Sequence, residues 1–217
     1  MSVARFNERF DQWAATYDET VTDPTGEYAE VFAGYSRILA RVADEVALPP
    51  GSVVVEIGVG TGNLTRELLA RGYRVIGVEP SREMRQQAKR KLPDLDLRDG
   101  DFLHLPLSDE RVAAFVSTYA FHHLTDEEKE TALTQMAARL APGGKVVFAD
   151  TVFASEEERQ ACIEEARGKR HVHLLRDLET EFYPTLPVLE TLYRRAGFAV
   201  SFERLNRYVW LSTAVCR

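Results

Sequence analysis

Cysteine is nearly absent: the chain of 217 residues has two, Cys162 and Cys216, in no paired-ligand or redox spacing. That argues against a disulfide scaffold or thiolate metal site and fits inert thiols in a reducing compartment. No apolar run approaches the roughly 20 residues that a membrane-spanning helix requires. The start of the chain, where Arg5, Asn7, Glu8 and Arg9 crowd together, lacks the apolar centre of a signal peptide, so a cytoplasmic location is expected. Positive charge is also scarce: 27 Lys and Arg face 34 Asp and Glu, a net charge of −7. Proteins that grip phosphate backbones cluster the opposite charge, so nucleic acid is not an expected partner. Internal repeats, low-complexity tracts, linkers and recognisable His, Asp or Glu metal-ligand spacings are missing as well, and no metal is expected. What is abundant is hydrophobic sequence, 45% of residues, enough to fill the core of one α/β domain with a modest addition.

The run VVVEIGVGTGNLT at 53–65 carries the most information. Its apolar half reads as a strand covered on both faces, followed by Gly58, Gly60 and Gly62, which let backbone approach a bound nucleotide. Residues 63–71 read as a helix, so the turn offers free N–H groups to a ligand. A dinucleotide fingerprint would place its third glycine at 63, where this chain has Asn63; the spacing here is GxGxG. Glu56, two residues before the first glycine, would repel a pyrophosphate but suits an ammonium or sulfonium group. S-adenosylmethionine carries both cations and no phosphate. The alternative is a glycine turn that only passes a strand tightly into a helix.

A second apolar strand, YRVIGV at 73–78, leads into Glu79, about twenty residues past the glycines, where an acidic side chain takes ribose hydroxyls. Glu79, Pro80 and Ser81 equally suit the start of a helix, whose first turn favours a cap and negative charge. With Ser81 as the cap, the two roles are compatible.

DGDF at 99–102, VSTYAFHHL at 116–124 and LAPGGKVVFAD at 140–150 follow in order, and with them the chain resembles the class I S-adenosylmethionine-dependent methyltransferases. DQWAATYDETV, YAFHHLTDEEK, FADTVF and DLETEFYPTL are further similar to the small bacterial YrrT-like group, so the resemblance covers nearly the whole chain. It implies a doubly wound, mostly parallel, Rossmann-like α/β sheet of seven strands with an antiparallel C-terminal strand. It also implies S-adenosylmethionine as cofactor and S-adenosylhomocysteine as product. By the same resemblance, Asp101 accepts from the adenine amino group while the Phe102 backbone meets the ring nitrogen. Ser117, Tyr119 and Ala120 border the sulfonium, and Tyr17, beside Asp18, reaches the methionine end. Without the resemblance, Asp99 and Gly100 are simply strong turn formers. The DPPY-like tetrapeptide of amino-directed nucleic-acid methyltransferases is absent after the fourth strand, where this chain has TYAF, and a small-molecule acceptor is expected.

Strands are expected at 53–57, 73–78, 95–98, 112–118 and 145–151, with helices between, the pattern of a doubly wound sheet. The best-marked helix follows Thr125, where Glu128 completes a capping box. Ala132, Leu133, Met136, Ala137 and Leu140 then recur at helical spacing until Pro142, Gly143 and Gly144. Near the end, two strands flank Asn206 and Arg207 as an antiparallel hairpin. The whole chain, 1–217, is expected to be one domain with two additions. Residues 1–48 form an N-terminal helical cap in which Phe6, Phe10, Trp13, Ala14 and Tyr17 share a face. Residues 154–187, with Arg167, Arg170, His171, His173, Arg176, Asp177, Glu179, Glu181 and Tyr183, stand where the resembling family builds its substrate cap. A solvated charged face is the alternative there.

His122 and His123 are the candidates for proton chemistry. A neutral imidazole takes a proton from an acceptor hydroxyl, amine or thiol as the methyl arrives. Against this, the second histidine of such a turn often packs under the next helix, and transfer from an activated sulfonium needs little beyond alignment. Two other functions share these features, a nicotinamide-dependent oxidoreductase and a non-catalytic S-adenosylmethionine-binding protein.

Overall fold

A computed structural model describes residues 7–108 and 111–216, and in it all five expected strands form. They are β1 (Val53–Ile57), β2 (Arg74–Val78), β3 (Asp96–Arg98), β4 (Val112–Thr118) and β5 (Leu140–Thr151). β1 and β2 are rich in valine and isoleucine and buried on both faces, which is why they read as continuous rather than alternating apolar runs. With β6 (Phe198–Arg204) and β7 (Val209–Cys216) they make one seven-stranded sheet in the order β3-β2-β1-β4-β5-β7-β6. β7 runs antiparallel to β5 and β6, and the other pairings are parallel. The sheet is therefore the expected one. Its order reverses between β1 and β4, which opens a crevice at the carboxyl ends of the strands.

The helices are α1 (Asn7–Trp13), α2 (Tyr17–Thr20), α3 (Tyr35–Val46), α4 (Asn63–Ala70), α5 (Arg82–Lys91), α6 (Asp126–Arg139), α7 (Glu156–Lys169), α8 (Val172–Thr180) and α9 (Leu186–Arg195). One core layer joins α3, α4, α7 and α8 to the sheet through residues such as Val42, Leu68, Ile163 and Leu178. The other joins α6 and α9 through Leu133, Met136, Leu192 and Tyr193. The N-terminal segment consequently divides. α3 is a core helix that buries Ile38, Leu39, Val42, Ala43 and Val46, and only the stretch before it is left to cover the crevice.

Local signals explain the element ends. Thr125 Oγ1 accepts from Glu128 N (3.3 Å) while Glu128 Oε2 accepts from Thr125 N (2.8 Å), the expected capping box. Ser81 Oγ caps α5 by accepting from Met84 N at 3.1 Å. β5 starts earlier than expected: Leu140 already pairs with Val112, and the Pro-Gly-Gly stretch bulges out before pairing resumes between Lys145 and Ala114. A bulge is where a strand tolerates proline, since no ladder bond needs its missing N–H.

α6 also buries a lysine completely. Lys129 Nζ donates to Leu124 O (2.5 Å) and Phe182 O (2.8 Å), pinning the segment after α8 to the turn before α6. Burial lowers its pKa against the opposing pull of Asp126. Lys129→Ala deprives two carbonyls of this donor, so we expect about 2–4 kcal/mol of lost stability. In thermal melts that is a fall of roughly 5–15 °C. A shift below about 2 °C would mean that other donors or water replace the ammonium.

Candidate active site

The carboxyl ends of five neighbouring strands line one cavity. In spatial order they bring Asp101 and Phe102 after β3, Glu79 and Pro80 after β2, then Ile57, Gly58 and Gly60 from β1. Thr118, Tyr119 and Ala120 follow from β4 and Thr151 from β5. Strands lie about 4.8 Å apart, so these ends span roughly 19 Å and the cavity is a trough rather than a sphere. Phe10, Trp13, Tyr17, Tyr28 and Phe32 roof it, and Asp177, Glu181 and Tyr183 wall the end beside β4 and β5. Of the N-terminal stripe, Phe10, Trp13 and Tyr17 stand in this roof, Ala14 is buried outside the lining, and Phe6 lies outside the described residues.

The glycine turn is shaped for close approach. Gly60 has φ +56°, and a Cβ there would meet nothing within 4 Å, so the position opens onto the trough. Its N–H donates to Glu79 Oε2 at 2.9 Å, and Glu79 Oε1 accepts from Ser81 N at 2.9 Å. Glu79 is thus clamped between the turn and the start of α5. Burial pushes its carboxyl up to about 7, against the pull of those two N–H donors and Arg85. Gly58, φ +76°, lets the turn pass Ala120, whose Cβ would lie 2.8 Å from an added Cβ.

Three expected site residues stand behind the lining. Gly62 precedes α4, and a Cβ there would face Leu92 at 3.0 Å. Glu56 is buried under the turn, its Oε2 accepting from Thr65 Oγ1 at 2.6 Å. Burial raises its carboxyl to about 8, the Thr65 bond opposing and the Glu79 charge adding. Ser117 Oγ donates to Ile57 O at 2.6 Å and so ties β4 to β1.

Asp101 borders the trough, its Oδ1 accepting from the N–H groups of Leu103 (2.8 Å) and His104 (2.9 Å), which fixes the turn after β3. Phe102 packs on Phe121 with ring centroids 5.3 Å apart. Tyr119 departs from ordinary backbone: its φ is +55°, a conformation costing about 1–2 kcal/mol outside glycine. Its hydroxyl is buried with no hydrogen-bond partner among the described residues, and its ring packs against both Phe32 (5.0 Å) and Tyr35 (5.8 Å). Strain and an orphaned polar atom on one residue are marks of a ligand site. A clamped carboxylate, an open glycine cradle and this hydroxyl fit a cofactor carrying hydroxyls and an amino-acid end.

The cover is hooked onto the turns that follow β2 and β1. Asp11 Oδ1 accepts from Ser81 Oγ at 2.5 Å, and Asp18 Oδ1 accepts from Thr61 Oγ1 (2.7 Å) and Asn63 Nδ2 (3.0 Å) while its other oxygen pairs with Lys91. Removing the second hook in Asp18→Ala, two hydrogen bonds and a partly exposed ion pair, should weaken cofactor binding roughly ten-fold, about 1–2 kcal/mol. Trp13, in the roof, provides a fluorescence readout; an unchanged affinity would show that this hook has no bearing on binding.

At the other end, a one-turn 3-10 helix, Phe121–His123, presents both histidines. His122 Nδ1 lies 2.5 Å from Asp150 Oδ1, its backbone N donates to Asp150 Oδ2 (2.9 Å), and its Nε2 lies 3.2 Å from Glu181 Oε2. Tyr183 stacks on the imidazole (4.8 Å) and donates to Glu181 Oε2 at 2.6 Å. Burial opposes the charge, but Asp150 and then Glu181 hold the imidazolium up to about 10. At neutral pH His122 in this network holds a proton rather than takes one. His123 Nδ1 is 3.9 Å from Glu181 Oε2, with its ring edge-on to Phe10 at 4.9 Å.

The charged segment sorts by face. Arg167 makes surface pairs with Glu164 and Glu179, and His173 and Arg176 are exposed. Asp177 and Glu181 turn inward with Leu174 and Leu178. The four-residue spacing from Asp177, on the buried face of α8, to Glu181, just past its end, was a usable signal. Asp150, at the end of β5, is a site residue to which sequence reasoning gave no role.

Comparison with known proteins agrees with this geometry. The family described as a methyltransferase domain matches residues 54–144. An uncharacterized methyltransferase of Geobacillus kaustophilus is 49% identical over 211 residues, 97% of this chain and 96% of the relative. Magnesium protoporphyrin IX methyltransferase of Synechocystis, solved with bound S-adenosylmethionine, has a TM-score of 0.69 at 16% identity, covering 98% of this chain and 93% of that one. DesVI of Streptomyces venezuelae gives 0.67 at 18% identity, covering 94% and 98%. Sheet order and crevice define the Rossmann-like fold of class I methyltransferases. The chain belongs to the methyltransferase family.

Proposed function

We propose that this protein transfers a methyl group to a small-molecule acceptor by direct in-line displacement. S-adenosylmethionine is the methyl donor, and when bound it supplies a methyl group activated on a sulfonium. The observation that carries the reading is the order of the strand ends: Asp101, Glu79, Gly60 and Tyr119 follow one another along a single trough. Adenine, ribose and the methionine end need partners in that order. Asp101 takes the adenine amino group beside the Phe102 backbone, and Glu79, held by Gly60 and Ser81, takes ribose hydroxyls. Tyr17 and Tyr119 attend the methionine end, and Gly58 and Gly60 keep the backbone clear. Glu56, Gly62 and Ser117 act from behind by holding the turn and β4 in place.

The acceptor enters on the side of Asp177, Glu181 and Tyr183, where it is aligned rather than deprotonated by His122. A roofed trough and a net charge of −7 favour a small molecule over a nucleic acid. The motifs shared with the YrrT-like group, and a cytoplasmic setting, complete the reading. Incubation with methyl-labelled S-adenosylmethionine and fractionated metabolites tests it: one acceptor should gain label as S-adenosylhomocysteine appears in equal amount. Calorimetric binding of NADH but not of S-adenosylhomocysteine would favour an oxidoreductase. Cofactor binding with no label transferred to any acceptor would favour the non-catalytic alternative.

A further inference from the structure

Chain positions 122, 123 and 181 show no metal-binding spacing, yet the fold brings these three side chains together. One donor atom from each of His122, His123 and Glu181 lies within 4.8 Å of the others, and all three residues are more than nine-tenths buried. We propose that His122, His123 and Glu181 form a site for a divalent ion of the zinc class, with an open position facing the trough.

The donor set and its support both fit. Two imidazoles and a carboxylate are the ligands of open, substrate-accessible zinc sites, where bonds of about 2.0–2.2 Å set neighbouring donors roughly 3.3 Å apart. His122 Nε2 and Glu181 Oε2 already stand 3.2 Å apart and His123 Nδ1 is 3.9 Å from the same oxygen, so the three donors, all within 4.8 Å of one another, have to draw together by at most about 1.5 Å. The ion would stand between His122 Nε2 and Glu181 Oε2.

Around the three ligands lies the kind of outer shell that orients metal-bound histidine. Asp150 Oδ1 holds His122 Nδ1 at 2.5 Å and accepts from Thr151 N at 2.7 Å, so Nε2 is aimed at Glu181. The Tyr183 hydroxyl supports Glu181 (2.6 Å). The segments that carry the ligands are locked together, because Phe182 N donates to His122 O (3.1 Å) and Lys129 Nζ to Phe182 O (2.8 Å). All three ligands line the trough beside Tyr119 and Thr151, so the remaining position takes an oxygen, nitrogen or sulfur lone pair from a small molecule there.

The test uses the full chain, stripped with chelator and titrated with Co²⁺ as a coloured probe and then with Zn²⁺ in competition. One Co²⁺ per chain should bind at micromolar concentration or below, with visible d–d absorption that Zn²⁺ abolishes. His123→Ala and Glu181→Gln should each weaken binding at least about 100-fold, and Asp150→Asn about 10- to 100-fold. Melting curves establish that each variant is folded. No Co²⁺ or Zn²⁺ binding by the wild-type chain at about 100 µM, or binding undiminished in folded His123→Ala and Glu181→Gln, would overturn the proposal. The readout is independent of methyl transfer: a chain that binds Co²⁺ through these residues but no S-adenosylmethionine would keep this site and sink the functional reading instead.

Discussion

Gly60→Arg should abolish binding of S-adenosylmethionine and S-adenosylhomocysteine, weakening it by at least about 100-fold, while the chain stays folded. The substitution does two separable things. It places a non-glycine residue at φ +56°, which costs about 1–2 kcal/mol and lowers the melting temperature by roughly 2–8 °C. It also places a long cationic side chain at a residue that lines the trough, where it displaces the ligand and repels a sulfonium. Gly60→Ala separates the two: it carries the backbone cost, but its Cβ would meet nothing within 4 Å, so affinity should fall far less. Calorimetric titration with S-adenosylhomocysteine, alongside circular-dichroism melts of both variants, provides the measurement. An unaltered affinity in Gly60→Arg would mean that the turn does not face the ligand.

What the sequence made legible was whatever depends on short-range pattern. The strands are valine- and isoleucine-rich runs, the glycine turn sits where a strand meets a helix, and Thr125 with Glu128 reads as a cap and is one. Glu79 was legible because it follows a recognisable strand about twenty residues past the glycines, whereas Asp101 was picked out only by the resemblance that DGDF carries. Less legible was everything that depends on two distant segments meeting. Glu56 and Ser117 are in register with the motif, yet hydrogen bonds to Thr65 and Ile57 hold them behind the trough. No one-dimensional spacing distinguishes a carboxylate aimed at a ligand from one aimed at a threonine nine residues on. The pairing of His122 with Asp150 and Glu181 belongs to the same class, since it needs the end of β5 and the segment after α8 to converge. α3 was read as cap because it lies in the N-terminal segment, but the burial of Val42, Ala43 and Val46 makes it core. Its apolar face was visible; the partner of that face was not.

The cofactor-free protein should lose stability as pH rises from about 5 to about 8. Glu56 and Glu79 have ordinary values of 4.5 and folded values of about 8 and about 7. Between those limits the folded chain keeps protons that the unfolded chain has released, so unfolding liberates protons and a higher pH favours it. The stabilisation is fully present below 4.5 and is lost as pH passes through the folded values. Each group contributes at most about 1.4 kcal/mol per pH unit within its window. Glu56→Gln retains an acceptor for Thr65 but cannot ionise, so its urea-unfolding free energy should vary less steeply over this range and exceed that of the wild type near the alkaline end. An identical slope in the variant would remove Glu56 from the account. Ligand binding should move the same equilibrium in reverse. Ribose hydroxyls and a nearby sulfonium both favour ionised Glu79, so binding should release protons near neutrality and S-adenosylmethionine affinity should rise from about pH 6 to a plateau above about pH 7.5. Calorimetry in two buffers of different ionisation enthalpy counts those protons. Proton uptake on binding would show that Glu79 is held neutral by the ligand, and its role as an anionic partner of the ribose would fall.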